Sequence, residues 1–350
     1  MEAVAPGTRA VMTTAGRRAT IKDVAEAADV SRSTASRALT GRGYVAPAVR
    51  ERVRRAAQTL GYVPDAMARN LRQQVSRSIG VLVSDLRNSF YADLASGISQ
   101  QSRRRGYAMM LADDNGSVEA ELEAAETFVA LRVAGVILTP LSTEVTEYLG
   151  RHRIPVIEVD RQFAEGTHDA VVVDNKTAAE RVTASLLAAG HRRISLLIDE
   201  MDWTTGRDRL AGYRAAFHAA GVPLDDALVV RGGWDVGAAL GVARELLGSP
   251  DRPTAVFAAN NVLAEGVWRA AQALGLSVPE DLSLVSFDDA PWMTMVRPGV
   301  TAVAQDAVAL GEAAVAQMFE RIQNPDSPVR TVMLSAAVAQ RGSTAPPATP

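Results

Sequence analysis

Apolar and polar positions between Thr20 and Thr40 follow the period of two short helices separated by a turn. The first apolar stripe recurs at i, i+3, i+4 and i+7 and consists of Ile21, Val24, Ala25 and Ala28. Thr20 and Asp23 have the spacing of a capping box, which predicts a helix start after Thr20. Residues 28–30 predict a turn, and Ser31 can cap a second helix. This stretch therefore predicts a helix-turn-helix.

The second predicted helix presents two contrasting faces. Its inward face consists of Ala35, Ala38 and Leu39, and its outward face of Arg32, Ser33, Ser36 and Arg37. A DNA major groove admits one helix, and arginine can pair bidentately with guanine. The side chains predicted to read bases are Arg32, Ser33 and Arg37. Phosphate contacts are predicted for Ser31, Thr34 and Ser36. The alternative is an ordinary solvated pair of helices.

A third helix is predicted after the loop at residues 41–44, since Pro47 suits a first helical turn and Gly61 a helix end. Its stripe consists of Val49, Val53, Ala56, Ala57 and Leu60. Pro64 can begin a further helix of about two turns, which is too short to be stable alone in water. We expect that segment to fold only on DNA.

From Ser78 onward, short apolar runs alternate with amphipathic helical stretches. The runs are IGVLVS, YAMML, AGVILT, PVIEV, RISLLI, TAVFA and LSLVSF. Strands that are apolar at nearly every position belong to parallel sheets covered on both faces. The runs fall into two sets, so we predict an α/β body of two doubly wound parallel-sheet subdomains. Ligands bind such sheets at the carboxyl ends of their strands, which places the expected site in the cleft between the two.

Composition narrows the class of protein. A chain of 350 residues with 47% hydrophobic residues can form two or three domains. The sequence has no apolar run of membrane-spanning length and no secretory signal core, so we expect a cytoplasmic protein with no membrane partner. It has no cysteine, and its four histidines, at 152, 168, 191 and 218, lack ligand or triad spacing. No metal site, cofactor or catalytic group is predicted.

Charge is unevenly distributed along the chain. Residues 1–75 hold 13 Lys and Arg against 6 Asp and Glu, whereas residues 76–350 hold 24 against 34. The net charge of -3 thus combines a basic head with an acidic body. This asymmetry indicates that contact with a polyanion is confined to the head.

These patterns predict the following domain organisation. The predicted segments are a flexible leader at 1–18, a helix-turn-helix domain at 19–62, a hinge helix and linker at 63–77, a body at 78–340, and a disordered tail at 341–350. Within the body, one subdomain is predicted over about 78–174 plus 305–328, and the other over 175–304 plus 329–340. The tail prediction rests on its composition, RGSTAPPATP.

The order of these parts resembles the lactose/galactose repressor family of bacterial transcriptional regulators. The resemblance rests on TIKDVAEAADVSRSTASRAL, then YVPDAMARNL, then two halves like those of periplasmic binding proteins, and it runs from about Thr20 to Gln340. The body motifs are VDR at 159–161, AAN at 258–260 and SFDD at 286–289. The family implies a repressor that binds palindromic operator DNA as a homodimer and is released by a small-molecule effector.

The resemblance also implies roles for particular residues. Hinge helices of two subunits would pair in the minor groove, with Leu71 as an apolar wedge and Ala68 allowing close approach. The alternative is that Leu71 packs against the body. Effector contacts are implied at Asp160, Arg209, Trp234, Asn260, Asp288, Phe90 and Tyr91. Such a set can hydrogen-bond sugar hydroxyls and stack on a pyranose, so the expected effector is a carbohydrate.

Each effector assignment has a structural alternative. Asp288 and Asp289 could cap a loop, Arg209 could pair with neighbours of Asp208, and Trp234 could belong to the core. The chain also departs from the family pattern, with Asn260-Asn261 for the usual Asn-Asp and Ala46 for the usual capping serine.

Other functions remain as alternatives. A purine or another metabolite could be the effector, and the protein could be co-repressed or activating. An NAD-dependent enzyme is disfavoured because G-x-G-x-x-G, P-loop and G-x-S-x-G motifs are absent. A secreted sugar-binding protein would lack the helix-turn-helix.

Overall fold

A computed structural model describes residues 19–41, 43–63, 76–199 and 203–348. The chain divides into two compact units, residues 1–75 and 76–350. The predicted leader and most of the predicted hinge, including Ala68 and Leu71, lie outside the described residues.

Over its described residues, 19–41 and 43–63, the head contains three helices, α1 (Ile21–Ala27), α2 (Arg32–Thr40) and α3 (Pro47–Thr59). The predicted capping box is confirmed, since the side chains of Thr20 and Asp23 each bond the backbone of the other. Ser31 caps α2 by accepting a hydrogen bond from the backbone N–H of Thr34. Helix α3 begins at Pro47 without a side-chain cap, as expected for the alanine that precedes it.

Small side chains dominate the core of the head. The buried residues are Val24, Ala25, Ala28, Ala35, Ala38, Val45, Val53 and Ala57. Arg52 Nε on α3 also donates to the carbonyl of Ala28 at 2.8 Å, which joins α3 to the turn between the first two helices. Packing against α1 and α3 therefore fixes the orientation of α2 within the head.

The described residues of the body form two six-stranded sheets. The strands are β1 (Ser78–Val83), β2 (Ala108–Asp113), β3 (Val136–Leu138), β4 (Val156–Asp160), β5 (Asp169–Val173), β6 (Ile194–Ile198), β7 (Val229–Arg231), β8 (Ala255–Ala258), β9 (Ser283–Phe287), β10 (Thr301–Ala304), β11 (Thr331–Leu334) and β12 (Ala337–Ala339). The sheet orders are β11-β5-β4-β3-β1-β2 and β12-β10-β9-β8-β6-β7. Pairing is parallel except between β12 and β10. The predicted fold class is confirmed, with one antiparallel edge strand added.

Helices cover the two sheets. They are α4 (Ser89–Arg104), α5 (Val118–Ala130), α6 (Thr143–Arg151), α7 (Asn175–Ala188), α8 (Thr204–Ala219), α9 (Val236–Gly248), α10 (Asn261–Ala273), α11 (Trp292–Met295) and α12 (Ala307–Gln323). Helices α4 and α12 pack together closely, because a Cβ on Gly97 or Gly311 would collide with the backbone of the opposite helix. We call the first sheet, with α4, α5, α6 and α12, the first half. We call the second sheet, with the other helices of the body, the second half.

The predicted boundary between the halves is wrong near the carboxyl end. The sequence pattern assigns residues 329–340 to the second half, but β11 pairs in parallel with β5 in the first sheet. The chain crosses to the second sheet only after Leu334, where β12 begins. The apolar run TVMLSAAVA gives no local indication of this crossing, because both of its parts have the pattern of a strand.

The predicted disorder of the tail is also wrong for residues 341–348. Ser343 is fully buried, and its Oγ donates to the carbonyl of Leu284 at 2.6 Å and accepts from the N–H of Thr301 at 2.8 Å. The carbonyl of Ala345 accepts from Ser283 Oγ at 3.1 Å and lies 2.9 Å from His191 Nε2. The Pro-rich composition suggests disorder, but these backbone and hydroxyl groups find partners on the second sheet.

Candidate functional site

The outward face of α2 is available for contact. Arg32, Ser33, Ser36 and Arg37 are exposed, whereas Ala35 and Ala38 of the same helix are buried. This arrangement confirms the predicted division between an inward and an outward face. The structure therefore presents the three predicted base-reading side chains, Arg32, Ser33 and Arg37, on the surface of the head.

A hydroxyl network lies at the start of α2. Ser31 Oγ lies 2.9 Å from Ser33 Oγ and 2.9 Å from Thr34 Oγ1, and it also accepts from the N–H of Thr34 at 3.1 Å. The N-terminus of a helix offers free N–H groups and a partial positive charge, which suit a phosphate. The network keeps these small hydroxyls together at that end of the helix.

A cavity of about 410 Å³ lies in the body between the two halves. It lies where β1, β4, β6, β8 and β9 end, which is the position expected for a ligand site in parallel sheets. Its volume lies within the usual range of small-molecule sites. All seven predicted effector residues line it: Asp160, Arg209, Trp234, Asn260, Asp288, Phe90 and Tyr91.

The aromatic side chains differ in their exposure. Trp234 is 52% exposed, so it does not belong to the core, and its ring meets that of Trp203 edge-on at 4.8 Å. Phe90 and Tyr91 lie in the first turn of α4 and are buried, with their rings 5.2 Å apart. Trp234 thus offers an open apolar face to the cavity, whereas Phe90 and Tyr91 form part of its wall.

Two aspartates end corresponding strands of the two sheets. Asp160 ends β4 with φ +71°, and Asp288 follows β9 with φ +67°. Both conformations are left-handed, which aspartate tolerates better than most residues. Burial raises the pKa of Asp160 to about 6, against the opposing charges of Arg209 and Arg161. Burial also raises the pKa of Asp288.

Arg209 is buried beneath the cavity. Its Nε donates to Asn175 Oδ1 at 2.8 Å, its Nη1 donates to the carbonyl of Ala259 at 2.5 Å, and its guanidinium lies 3.7 Å from the ring centroid of Phe287. Arg207, and not Arg209, forms the ion pairs with Asp208 and Glu165. The alternative role for Arg209, as an ion-pair partner near Asp208, is therefore not observed. Arg209 is therefore held in place by the second half and faces the cavity from there.

The two consecutive asparagines have different partners. Asn260 caps α10, and its Nδ2 donates to Asp199 Oδ2 at 2.8 Å. Asn261 Nδ2 donates to Asn88 Oδ1 at 3.0 Å, which links the second half to the first. Asn260 lines the cavity as predicted, and Asn261 joins the halves beside it.

Sequence reasoning missed the other described lining residues of the cavity, among them Arg161, Asp199 and Trp203. Arg161 is buried, donates to the carbonyl of Pro140 at 2.8 Å and to Ser84 Oγ, and stacks over Trp203 at 3.8 Å from the ring centroid. The rule that pockets lie at strand ends could have identified Arg161 and Asp199, which follow β4 and β6 directly. Trp203 had no comparable signal.

Within the described ranges, no cluster of acidic or histidine side chains is arranged to hold a metal ion. Over the same part of the chain, no helix has the length and apolarity to cross a membrane.

Comparison with known proteins gives two matching families. Residues 20–65 match the family described as bacterial regulatory proteins, lacI family, and residues 183–344 match the periplasmic binding protein-like domain. The ribose operon repressor of Escherichia coli (strain K12) is 32% identical over 328 residues, which cover 93% of this chain and 99% of that protein.

Two solved structures extend the similarity to three dimensions. The transcriptional regulator CelR in complex with cellobiose has a TM-score of 0.72 and 30% identity, and the match covers 93% of this chain and 100% of that one. The lac repressor dimer bound to operator and the anti-inducer ONPF has a TM-score of 0.84 and 25% identity, over 94% of this chain and 100% of that one. With the helix-turn-helix head and the two-halved body, these matches show that the chain is a DNA-binding transcriptional regulator of the lacI family.

Proposed function

We propose that this protein is a cytoplasmic repressor that binds a palindromic operator as a homodimer and leaves it when a neutral sugar occupies the cleft of the body. The observation that carries the effector part is that seven side chains, from both halves, line one cavity of about 410 Å³. The similar CelR structure holds cellobiose, which supports a carbohydrate effector.

The head supplies the DNA contacts in this proposal. Arg32, Ser33 and Arg37 read bases in the major groove, and Ser31, Thr34 and Ser36 contact phosphates. One α2 helix reads one half-site, so a two-fold symmetric dimer requires a near-palindromic operator. The lac repressor structure is a dimer on operator, which supports this stoichiometry. Leu71 and Ala68 act at the minor groove between the half-sites.

The body supplies the effector contacts. Asp160 and Asp288 accept hydrogen bonds from sugar hydroxyls, Asn260 and Arg209 add amide and guanidinium contacts, and Trp234 stacks on the apolar face of the ring. Phe90 and Tyr91 close the wall. Ligand binding closes the cleft, moves the amino-terminal halves of the dimer and separates the hinge helices. Operator affinity then falls.

Binding measurements with and without ligand test this proposal. An operator is first selected from random DNA, and the wild-type dimer is then titrated onto it with and without D-ribose, cellobiose and other neutral sugars. A coupling of about 1–3 kcal/mol is expected, and operator DNA must weaken sugar binding by the same factor. Free nucleobases form a second arm, since a purine effector would stack on Phe90 or Trp234.

A matched pair of variants connects any response to the cavity. Trp234→Ala removes an exposed side chain from the cavity and should leave operator binding unchanged while weakening the sugar about tenfold or more. Leu274→Ala removes a partly exposed side chain outside the cavity in the same half and should change neither. A ligand that tightens operator binding would overturn the induction scheme, whereas binding of nucleobases alone would overturn the sugar assignment.

A further inference from the structure

A bidentate ion pair between Arg341 and Asp289, which we call the fork, joins the carboxyl-terminal segment to the loop that carries Asp288. Arg341 Nη1 donates to Asp289 Oδ1 at 2.7 Å, and Nη2 donates to Asp289 Oδ2 at 2.6 Å. The same Nη1 donates to the carbonyl of Val300 at 2.6 Å. The two side chains are only 21% and 22% exposed. Bidentate pairs of this kind are stronger and more directional than single surface ion pairs.

The residues around Arg341 fix this fork on the second sheet. The N–H of Arg341 donates to Thr301 Oγ1 at 3.0 Å, and that hydroxyl donates back to the carbonyl of Arg341 at 3.3 Å. Two residues later, buried Ser343 is bonded to both β9 and β10 through Leu284 and Thr301. The backbone around Arg341 is therefore fixed to the second sheet by hydrogen bonds, and this fixes the position from which Arg341 binds Asp289.

Asp288 depends on its neighbours for its orientation. Its φ of +67° is a left-handed backbone conformation, which few residues other than glycine adopt although aspartate tolerates it better than most. The carbonyl of Asp288 accepts from Ser286 Oγ at 3.1 Å, and its carboxylate accepts from Gln305 Nε2. On its other side stands Asp289, whose carboxylate is held by Arg341. Such a conformation depends on the contacts around it, and the pair of Arg341 with Asp289 holds the residue that follows Asp288.

We propose that the segment at residues 341–348 acts as a strap in which Arg341 is a positioning residue for the effector aspartate Asp288. The expected effect of Arg341 on sugar affinity rests on the proposed effector function. Its effect on the conformation of residues 288–289 does not depend on that function. Arg341 does not line the cleft cavity. It acts through Asp289 by holding the turn at 288–289 in the conformation that directs the Asp288 carboxylate into the cleft.

The test compares three variants of the full-length protein. Arg341→Met removes the guanidinium, Arg341→Lys keeps the charge without the fork, and the double exchange Asp289→Arg with Arg341→Asp reverses the pair. Arg214→Met is the matched control, because Arg214 forms an ion pair with Asp226 at 3.1 Å in the same half, away from the cavity. Hydrogen exchange of the amides at 288–296 and calorimetric titration with the neutral sugar that binds the wild type most tightly are measured.

Arg341→Met should accelerate exchange across 288–296 and weaken the sugar by about tenfold, with Arg341→Lys intermediate and the exchanged pair near the wild type. Operator binding without sugar should be the same for all. Unchanged exchange in Arg341→Met, or faster exchange with full sugar affinity, would overturn the strap. If no sugar binds the wild type, the effector proposal fails, whereas exchange still decides whether Arg341 positions the turn.

Discussion

Asn261 Nδ2 donates to Asn88 Oδ1 at 3.0 Å, and that same oxygen accepts from the N–H of Phe90 at 3.1 Å. Because Asn88 Oδ1 already serves as the cap of α4, position 261 must supply a donor. An aspartate, which the resemblance to the family leads us to expect as the usual residue at this position, has no donor when it is ionised. The asparagine at 261 therefore makes a contact between the halves that the usual residue could not make in this arrangement.

The first prediction follows from this hydrogen bond. Asn261→Asp should destabilise the body by about 1–3 kcal/mol at pH 7.5, because a donor is lost and a carboxylate is added beside Asp288. Denaturant unfolding measures the loss. At pH of about 4 the introduced carboxyl group, once protonated, can donate again, so the variant should approach the wild type. Equal stability of variant and wild type at both pH values would show that the hydrogen bond contributes nothing.

The second prediction concerns DNA sequence recognition. Arg32→Ala or Arg37→Ala should cost about 1–3 kcal/mol on the selected operator and much less on random DNA, because base contacts carry specificity. Fluorescence anisotropy at fixed salt measures both affinities. Arg181→Ala, which removes an exposed charge from α7 in the body, serves as the control. Equal losses on operator and random DNA would reduce Arg32 and Arg37 to phosphate contacts.

The third prediction concerns the hinge segment outside the described residues. If Leu71 is a wedge between base steps, Leu71→Ala should weaken operator binding and reduce the bend of the DNA. Energy transfer between dyes at the operator ends measures the bend. Hydrogen exchange should also show protection of residues 64–73 only when operator is bound. An unchanged bend in Leu71→Ala would remove the wedge.

The fourth prediction concerns Asp160. Burial raises its pKa to about 6, above the unfolded value, so the folded protein holds the extra proton between pH of about 4 and 6. The free energy of unfolding therefore falls as pH rises through this window. Above pH of about 6 the buried carboxylate is ionised and its full destabilising effect is present. Asp160→Asn should stabilise the protein by about 2 kcal/mol at pH 7.5 and by little at pH of about 4. The same variant should bind sugar more weakly.

Asp169 supplies a control of opposite sign. Burial works to raise the pKa of Asp169, but hydrogen bonds from Arg321 and the backbone of Arg330 outweigh it, and the pKa is lowered. The stability that this carboxylate contributes is present above its unfolded pKa and lost as pH falls through the lowered value. Asp169→Asn should thus destabilise the protein at pH 7.5. Thermal unfolding across pH 4 to 8 distinguishes the two variants, and equal effects would contradict both assignments.

Local patterns determined the elements of the head and most strands of the body. The capping box at Thr20 and Asp23 and the alanine stripe of α2 involve residues three or four apart, so the sequence carries that information directly. Runs that are apolar at nearly every position, such as β6 and β8, likewise indicated parallel sheets covered on both faces. Ligands bind parallel sheets at the carboxyl ends of the strands, so the position of the cavity could also be predicted. The family resemblance supplied seven of its lining residues.

Only the tertiary structure decided contacts between residues far apart in the chain. TVMLSAAVA divides between two sheets because β11 finds β5 and β12 finds β10, and its local pattern is the same on both sides of the crossing. Arg161 stacks on Trp203, and Arg341 forms an ion pair with Asp289, because folding brings distant segments together. Residues 341–348, whose composition suggests disorder, are ordered because Ser343 and Ala345 form hydrogen bonds with the second sheet.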